Sequence, residues 1–247
     1  MGWVDDDPDA LALIAEPLFG TEVPNDSGAV PREIWELFQV GGSCTAHGLV
    51  QGDYGLTGKK NSPYAAWYDG RAEAHPYIPN DPNGSMPDEG LSMTQIMTAA
   101  QLSGGCEWTL WNPTMKEFSI HKKPPGLALI DTQSHNYDVS ALLGFGDALP
   151  IAVAVSLDSW AGSNTQKEVP LIALDVDQAF LDYRSGILRE QSGPSLGGHM
   201  GAVWQHWKIA GERVFLFITN WAEPKTVILS EARVRQARRV FRMRGVG

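Results

Sequence analysis

Gly41-Gly42-Ser43-Cys44-Thr45-Ala46-His47-Gly48-Leu49-Val50-Gln51-Gly52-Asp53-Tyr54 is the stretch on which the reading of this chain turns. It opens as a glycine-rich loop, and from Thr45 onward it has the length and apolar spacing of a helix. Gly48 and Gly52 each cost such a helix about 1 kcal/mol relative to Ala. A helix that keeps them is expected to be buried, with its neighbours pressed close. Cys44 stands where loop becomes helix. The unpaired N–H groups of a first turn favour a thiolate, and the glycines let a substrate carbonyl approach the backbone. The Cys44 amide would then face a developing oxyanion. His47, on the same helix, is expected to be packed or hydrogen-bonded beside the loop.

A thiol so placed needs a base, and the base needs a group to orient it. His199 follows Gly197-Gly198 and opens an apolar strand, Met200-Gly201-Ala202-Val203-Trp204. A second strand, Arg213–Asn220, ends at Thr219-Asn220-Trp221, and Ala210-Gly211 makes the turn between the two. Antiparallel neighbours bring the start of one strand to the end of the other, which places Asn220 beside His199. Its amide oxygen can accept from the imidazole, and Trp221 can shield that bond. Both residues also have a plainer reading, as a satisfied edge histidine and a turn asparagine.

Residues 1–31 are broken repeatedly by Pro and Gly and read as an extended arm, followed by a Pro-initiated helical turn over Pro31–Phe38. Helices are expected from Ser62-Pro63-Tyr64 through Ala74 and over Ser92–Leu102. Between them, Asp81–Pro87 is a loop. Trp108–Pro125 is irregular, a crossing between lobes, and Asp138–Leu143 reads as a short helix. Strands are expected at Ile151–Leu157, Glu168–Asp175, Gly198–Trp207, Arg213–Asn220 and Val227–Leu229. Helices first and strands second indicate an α+β protein with segregated lobes, 32–125 mostly helical and 126–230 mostly β. Residues 231–247 read as an Arg-rich tail.

The 247 residues are 43% hydrophobic and 19% charged, with nine Trp, eight Phe and six Tyr, which excludes disordered and collagen-like classes. The longest apolar runs, Ile151–Val155 and Val214–Ile218, are too short to span a bilayer, so no membrane partner is expected. Met1–Asp7 lacks the basic start and apolar stretch of a secretory signal, so a cytoplasmic or particle-associated location is expected. A net charge of −10 argues against nucleic acid as a partner of the whole surface. That charge is polarised: residues 1–40 hold nine acids and one Arg, and residues 231–247 hold six Arg and one Glu. The ends could clasp each other, serve separate protein partners in an assembly, or simply be solvated.

Two cysteines, Cys44 and Cys106, are too few for a disulfide framework or a four-thiolate zinc site, although one bridge between them is open. Cys106, after Gly104-Gly105, reads as a buried small hydrophobe. His75, His121, His135 and His206 show no metal-binding spacing. Gly52–Lys60 fails the spacing of a phosphate loop, and Asp5–Asp9 lacks the pattern of a calcium loop. No cofactor or metal is expected.

The order Cys44, His199, Asn220, with Gly42-Ser43-Cys44 at a helix start, resembles the papain-like cysteine peptidases, and Ser43-Cys44-Thr45-Ala46 resembles their compact bacterial and phage members. His199 lies 155 residues after Cys44, and Asn220 lies 21 after His199, close to the family's separations. Ser62-Pro63-Tyr64 and Asp88-Glu89-Gly90-Leu91-Ser92 resemble segments of the same relatives, and the likeness runs over residues 34–230. It implies a two-lobed fold with a helical N-terminal lobe, an antiparallel sheet or barrel as the C-terminal lobe, and the active site in the cleft. It implies Cys44 as nucleophile, His199 as general base and acid, Asn220 as the orienting residue and Gln39 as an oxyanion donor beside the Cys44 amide. The substrate would be a polypeptide, cut at peptide or isopeptide bonds through a thioester. Gln39 stands one residue nearer the cysteine than the family places it, and Asn220-Trp221-Ala222 replaces the family's Asn-Ser-Trp. These departures motivate a second reading, an idle papain-like fold serving as a binding or structural module, for example in a phage particle. A cell-wall peptide amidase shares the Cys-then-His order, but its shorter separation fits poorly.

Overall fold

A computed structural model of the chain describes residues 39, 41–75, 90–111, 123–124, 126–127, 138–141, 148–161, 168–221 and 225–244. The expected arm 1–31, the turn 31–38, the loop 81–87 and most of the crossing 108–125 lie outside the described residues. Among those described, no helix is long and apolar enough to cross a membrane.

Among the described residues, three helices come first. Helix α1 is Cys44–Thr57 and stops at Gly58, whose left-handed backbone (φ 68°) lets its N–H return to the Tyr54 carbonyl at 2.8 Å. Helix α2, Pro63–Ala74, starts on Ser62, whose hydroxyl accepts from the Ala65 N–H, with Pro63 in the first turn where a missing N–H costs nothing. Helix α3, Met93–Ser103, begins with a reciprocal capping box between Ser92 and Gln95.

The elements that follow are β1 (Asp138–Ala141), α4 (Ala148–Ala161), β2 (Glu168–Val176), α5 (Gln178–Leu181), β3 (Ile187–Leu188), β4 (Gly197–Ile209), β5 (Glu212–Ile218), β6 (Thr226–Ser230), α6 (Glu231–Arg235) and β7 (Arg239–Arg244). The strands form one seven-stranded sheet in the order β1-β7-β2-β4-β5-β6-β3, antiparallel except for the β3–β6 pair. The α+β class is that expected, with α4, α5 and α6 interleaved among the strands. The β4–β5 hairpin turns through Ala210 and Gly211, both at positive φ, the turn geometry that matches strand twist.

Alternation along the strands divides the core by face. Leu171, Met200, Ala202, Trp204 and Met243 meet Ala46, Leu49, Trp67 and Ile96 of α1–α3. Ile172, Val203, Phe217 and Val240 lie in the second cluster, with Val153 and Leu157 of α4 and Phe180 of α5. The expectation for the α1 glycines holds. A Cβ on Gly48 would sit 3.2 Å from Met200 Cγ, and one on Gly52 would sit 2.8 Å from Leu171 Cδ2.

Three expectations are corrected. Ile151–Leu157 is helix, not strand: Ile151 and Val155 are exposed (58% and 62%) while Val153 and Leu157 are buried, a four-residue repeat that strict alternation would not produce. Asp138–Ala141, within the segment expected to be a short helix, is β1, because pairing with β7 overrides its local preference. The Arg-rich segment, set apart above as a tail, supplies α6 and then β7, which lies between β1 and β2.

Five of its arginines pair with carboxylates of the fold, and one of them, Arg233, is buried. Arg233 and Asp177 are both about 1% exposed and joined by contacts of 3.2 and 3.4 Å, and Arg233 also reaches the Asp175 carbonyl at 2.7 Å. Burial by itself would raise the Asp177 carboxyl. The Phe180 and Ser192 N–H groups and the Arg233 guanidinium outweigh it and hold Asp177 below the usual carboxylate range. Arg238 pairs with Asp175, Arg235 with Glu231, and Arg242 and Arg244 with Glu168.

Candidate active site

Cys44 begins α1, and its helix start is unusual. Ser43 occupies the cap position without a side-chain bond to the first turn. The sulfur stands close to the N–H groups of Cys44 and Thr45 and to that of Met200, in β4. Burial raises the thiol above its ordinary value, and those three N–H groups oppose it without reversing it. Cys44 and Cys106 are both free thiols, and Cys106 is fully buried.

The imidazole of His199 stands one residue before Met200. It is enclosed by aromatic rings, with Trp221 at 4.5 Å between centroids, Phe217 at 6.2 Å and Phe180 at 6.3 Å. Burial drives its pKa down to about 4, helped by the neighbouring His47 and opposed by the hydrogen bond to Thr219. That bond joins Nε2 to the Thr219 carbonyl. A carbonyl can only accept, so Nε2 carries the hydrogen and Nδ1 keeps the lone pair of the neutral ring.

Asn220 reaches the same place, as the hairpin geometry requires, but its side chain is turned differently from the expected arrangement. With its backbone at φ 65°, Asn220 directs Nδ2 to the Met200 carbonyl at 2.8 Å and to the Cys44 carbonyl at 3.3 Å. Both partners are acceptors, so the amino group faces them. The Asn220 Oδ1 is buried without a hydrogen bond. Thus the residue ties the helix start to β4, while the Thr219 backbone receives the imidazole. Trp221 packs against the His199 ring, beside its bond to Thr219 rather than a bond to Asn220.

Gln39 is near but turned away. Its backbone N–H donates to the Asn220 carbonyl at 2.7 Å, while its side-chain Nε2 donates to Gly41 within its own loop at 2.6 Å. The structure therefore gathers Cys44, Met200, Thr219 and Asn220 and sets Gln39 against Asn220. The backbone groups of Met200 and Thr219 escaped the sequence reading because a carbonyl or amide direction leaves no mark on residue type. No protein-family model matches the chain, and no curated protein matches it in sequence.

Solved structures do. A cysteine protease, xylellain, from Xylella fastidiosa is 14% identical with a TM-score of 0.57, over 89% of this chain and 91% of that one. The bromelain protease of Ananas comosus, solved in complex with the E64 inhibitor, is 11% identical with a TM-score of 0.58, over 87% and 92%. The fold is papain-like. A third match, the Carica candamarcensis cysteine protease CMS1MS2 in complex with E-64, has a TM-score of 0.51 at 14% identity, over 84% and 94%. The papain-like likeness extends over nearly the whole of each chain.

Proposed function

We propose that this chain is a papain-like cysteine peptidase that hydrolyses peptide or isopeptide bonds through a thioester on Cys44. The observation that carries this reading is the junction at β4, where the Met200 N–H, adjacent to His199, reaches the Cys44 sulfur at the first turn of α1. Burial favours an uncharged thiol and an uncharged imidazole in the resting site. When a substrate carbonyl arrives, the Sγ proton passes to His199 Nδ1 as the S–C bond forms. The carbonyl oxygen becomes an oxyanion opposite the Cys44 N–H, and Gln39 would join it by exchanging Gly41 for the oxyanion. The imidazolium then protonates the leaving amine as the C–N bond breaks. Water, deprotonated by the same nitrogen, cleaves the thioester and restores the thiol. Thr219 holds the ring in the required tautomer throughout, and Asn220 fixes the helix start against the strand.

The test is covalent labelling with an epoxide thiol inhibitor between about pH 5 and 9, the range a Cys–His pair should cover. One adduct per chain is expected, located on Cys44 by peptide mass and lost in Cys44→Ala. No adduct at any pH in that range would overturn the enzyme reading and leave a papain-like fold without the chemistry.

A further inference from the structure

We infer that His47 is a positioning residue of the oxyanion site: it clamps the Ser43 carbonyl and so aims the Cys44 N–H. This inference rests on the thiol-hydrolase reading given above. The Ser43 carbonyl accepts from the His47 backbone N–H at 3.1 Å and from His47 Nδ1 at 2.9 Å. Backbone and side chain of one residue thus hold one oxygen. Because that partner is a carbonyl, Nδ1 carries the hydrogen. Ser43 and His47 are both fully buried, so neither bond has water as a competitor.

The consequence for Cys44 follows from the peptide bond. The Ser43 C=O and the Cys44 N–H belong to one planar trans unit and point in opposite directions. Anchoring the oxygen inside the helix therefore turns the amide hydrogen out of it, toward the sulfur. Ser43 makes no side-chain bond to the first turn, so its side chain does not fix this peptide, and the carbonyl is held by His47. The His47 ring is in turn set edge-on against Tyr64 of α2, with centroids 5.4 Å apart and planes at 85°. Since the Gln39 side chain is bonded to Gly41, the direction of the Cys44 amide bears more of the oxyanion stabilisation.

The inference separates two reactions of one thiol. Alkylation by iodoacetamide forms an S–C bond at saturated carbon and expels iodide, with no oxyanion. Acylation by p-nitrophenyl acetate passes through a tetrahedral oxyanion before nitrophenolate leaves. His47→Phe keeps a ring against Tyr64 but removes the donor. It is expected to slow the nitrophenolate burst about 10- to 100-fold and alkylation of Cys44 by much less, since the Met200 and Thr45 N–H groups still face the sulfur. His47→Asn, whose Nδ2 can stand where Nδ1 stood, should restore most of the burst. An unchanged burst in His47→Phe overturns the inference, as does a parallel fall in both reactions that His47→Asn does not repair. Nitrogen-15 shifts of the wild-type ring give an independent check. The Nδ1–H tautomer is expected at His47, and the Nε2–H tautomer overturns the clamp. If wild-type Cys44 takes neither iodoacetamide nor the epoxide, the hydrolase reading itself falls, and this assignment falls with it.

Discussion

On the face of the sheet that carries α1–α3, elements are joined by close approach. Glycines let α1 touch Met200 and Leu171, and across β4 the same device recurs at Gly201, which lets that strand lie against the end of β5. Where α5, α6 and β7 gather around β2, the joints are instead arginine–carboxylate pairs, the most enclosed being Arg233 with Asp177. The first kind of joint is sensitive to volume and indifferent to charge. The second is the reverse. The candidate site lies where the two meet, and it borrows from both: a helix start packed on one face and an imidazole enclosed on the other.

The most severe break of a close-packed joint is Gly201→Ala, between β4 and the end of β5. The new methyl would collide with the Ile218 carbonyl and the Phe217 ring, and a backbone oxygen has no rotamer to escape into. A loss of about 5 kcal/mol is expected, visible as a largely unfolded protein in urea titration. On the charged side, Arg233→Met strands the buried Asp177 carboxylate and should cost about 4 kcal/mol in the same titration. Asp177→Asn in the same chain should recover part of that loss, because the stranded charge is then gone.

His199, enclosed by Phe180, Phe217 and Trp221, yields a prediction in pH. Its folded pKa of about 4 lies below the unfolded value of 6.5, so the unfolded chain binds the extra proton more readily between them. The stability this supplies is complete above about pH 6.5 and is lost as pH falls through 4, an effect on the order of 3 kcal/mol. Chemical denaturation at pH 7 and at pH 4 should therefore show a smaller difference in His199→Gln than in wild type. The smallest effect sharpens the contrast. Arg189–Glu212, at 2.9 Å, matches the geometry of the inner pairs, but Arg189 is 66% exposed, so Arg189→Ala should change stability by less than about 1 kcal/mol. Equal losses at Arg189 and Arg233 would show that burial does not govern these pairs.

Much of this was legible in residue types. Gly42-Ser43-Cys44 marked the start of α1, and Ser62-Pro63 and Ser92 marked α2 and α3, because caps and prolines act locally. The meeting of His199 with the Thr219–Asn220 turn followed from one hairpin. Which oxygen receives the imidazole did not, since Thr219 contributes a backbone carbonyl that any residue would carry. Helix α4 was hidden because Ile151-Ala152-Val153-Ala154-Val155 is apolar in every direction and β-branched at alternate places. Strand β7 was hidden by its arginines: Val240 and Met243 are buried, but Arg238, Arg242 and Arg244 around them read as solvated until Asp175 and Glu168 come alongside.

The place of β7 has a further consequence for how the chain acquires its shape. It separates β1 from β2, both made earlier during synthesis, and among the described residues β1 pairs with no other strand. Until residues 239–244 have left the ribosome, the slot between those strands stays empty and β1 has no ladder to join. The helical side can condense while translation continues; closure of the sheet waits for a contact spanning about a hundred residues, the slow and aggregation-exposed kind of step.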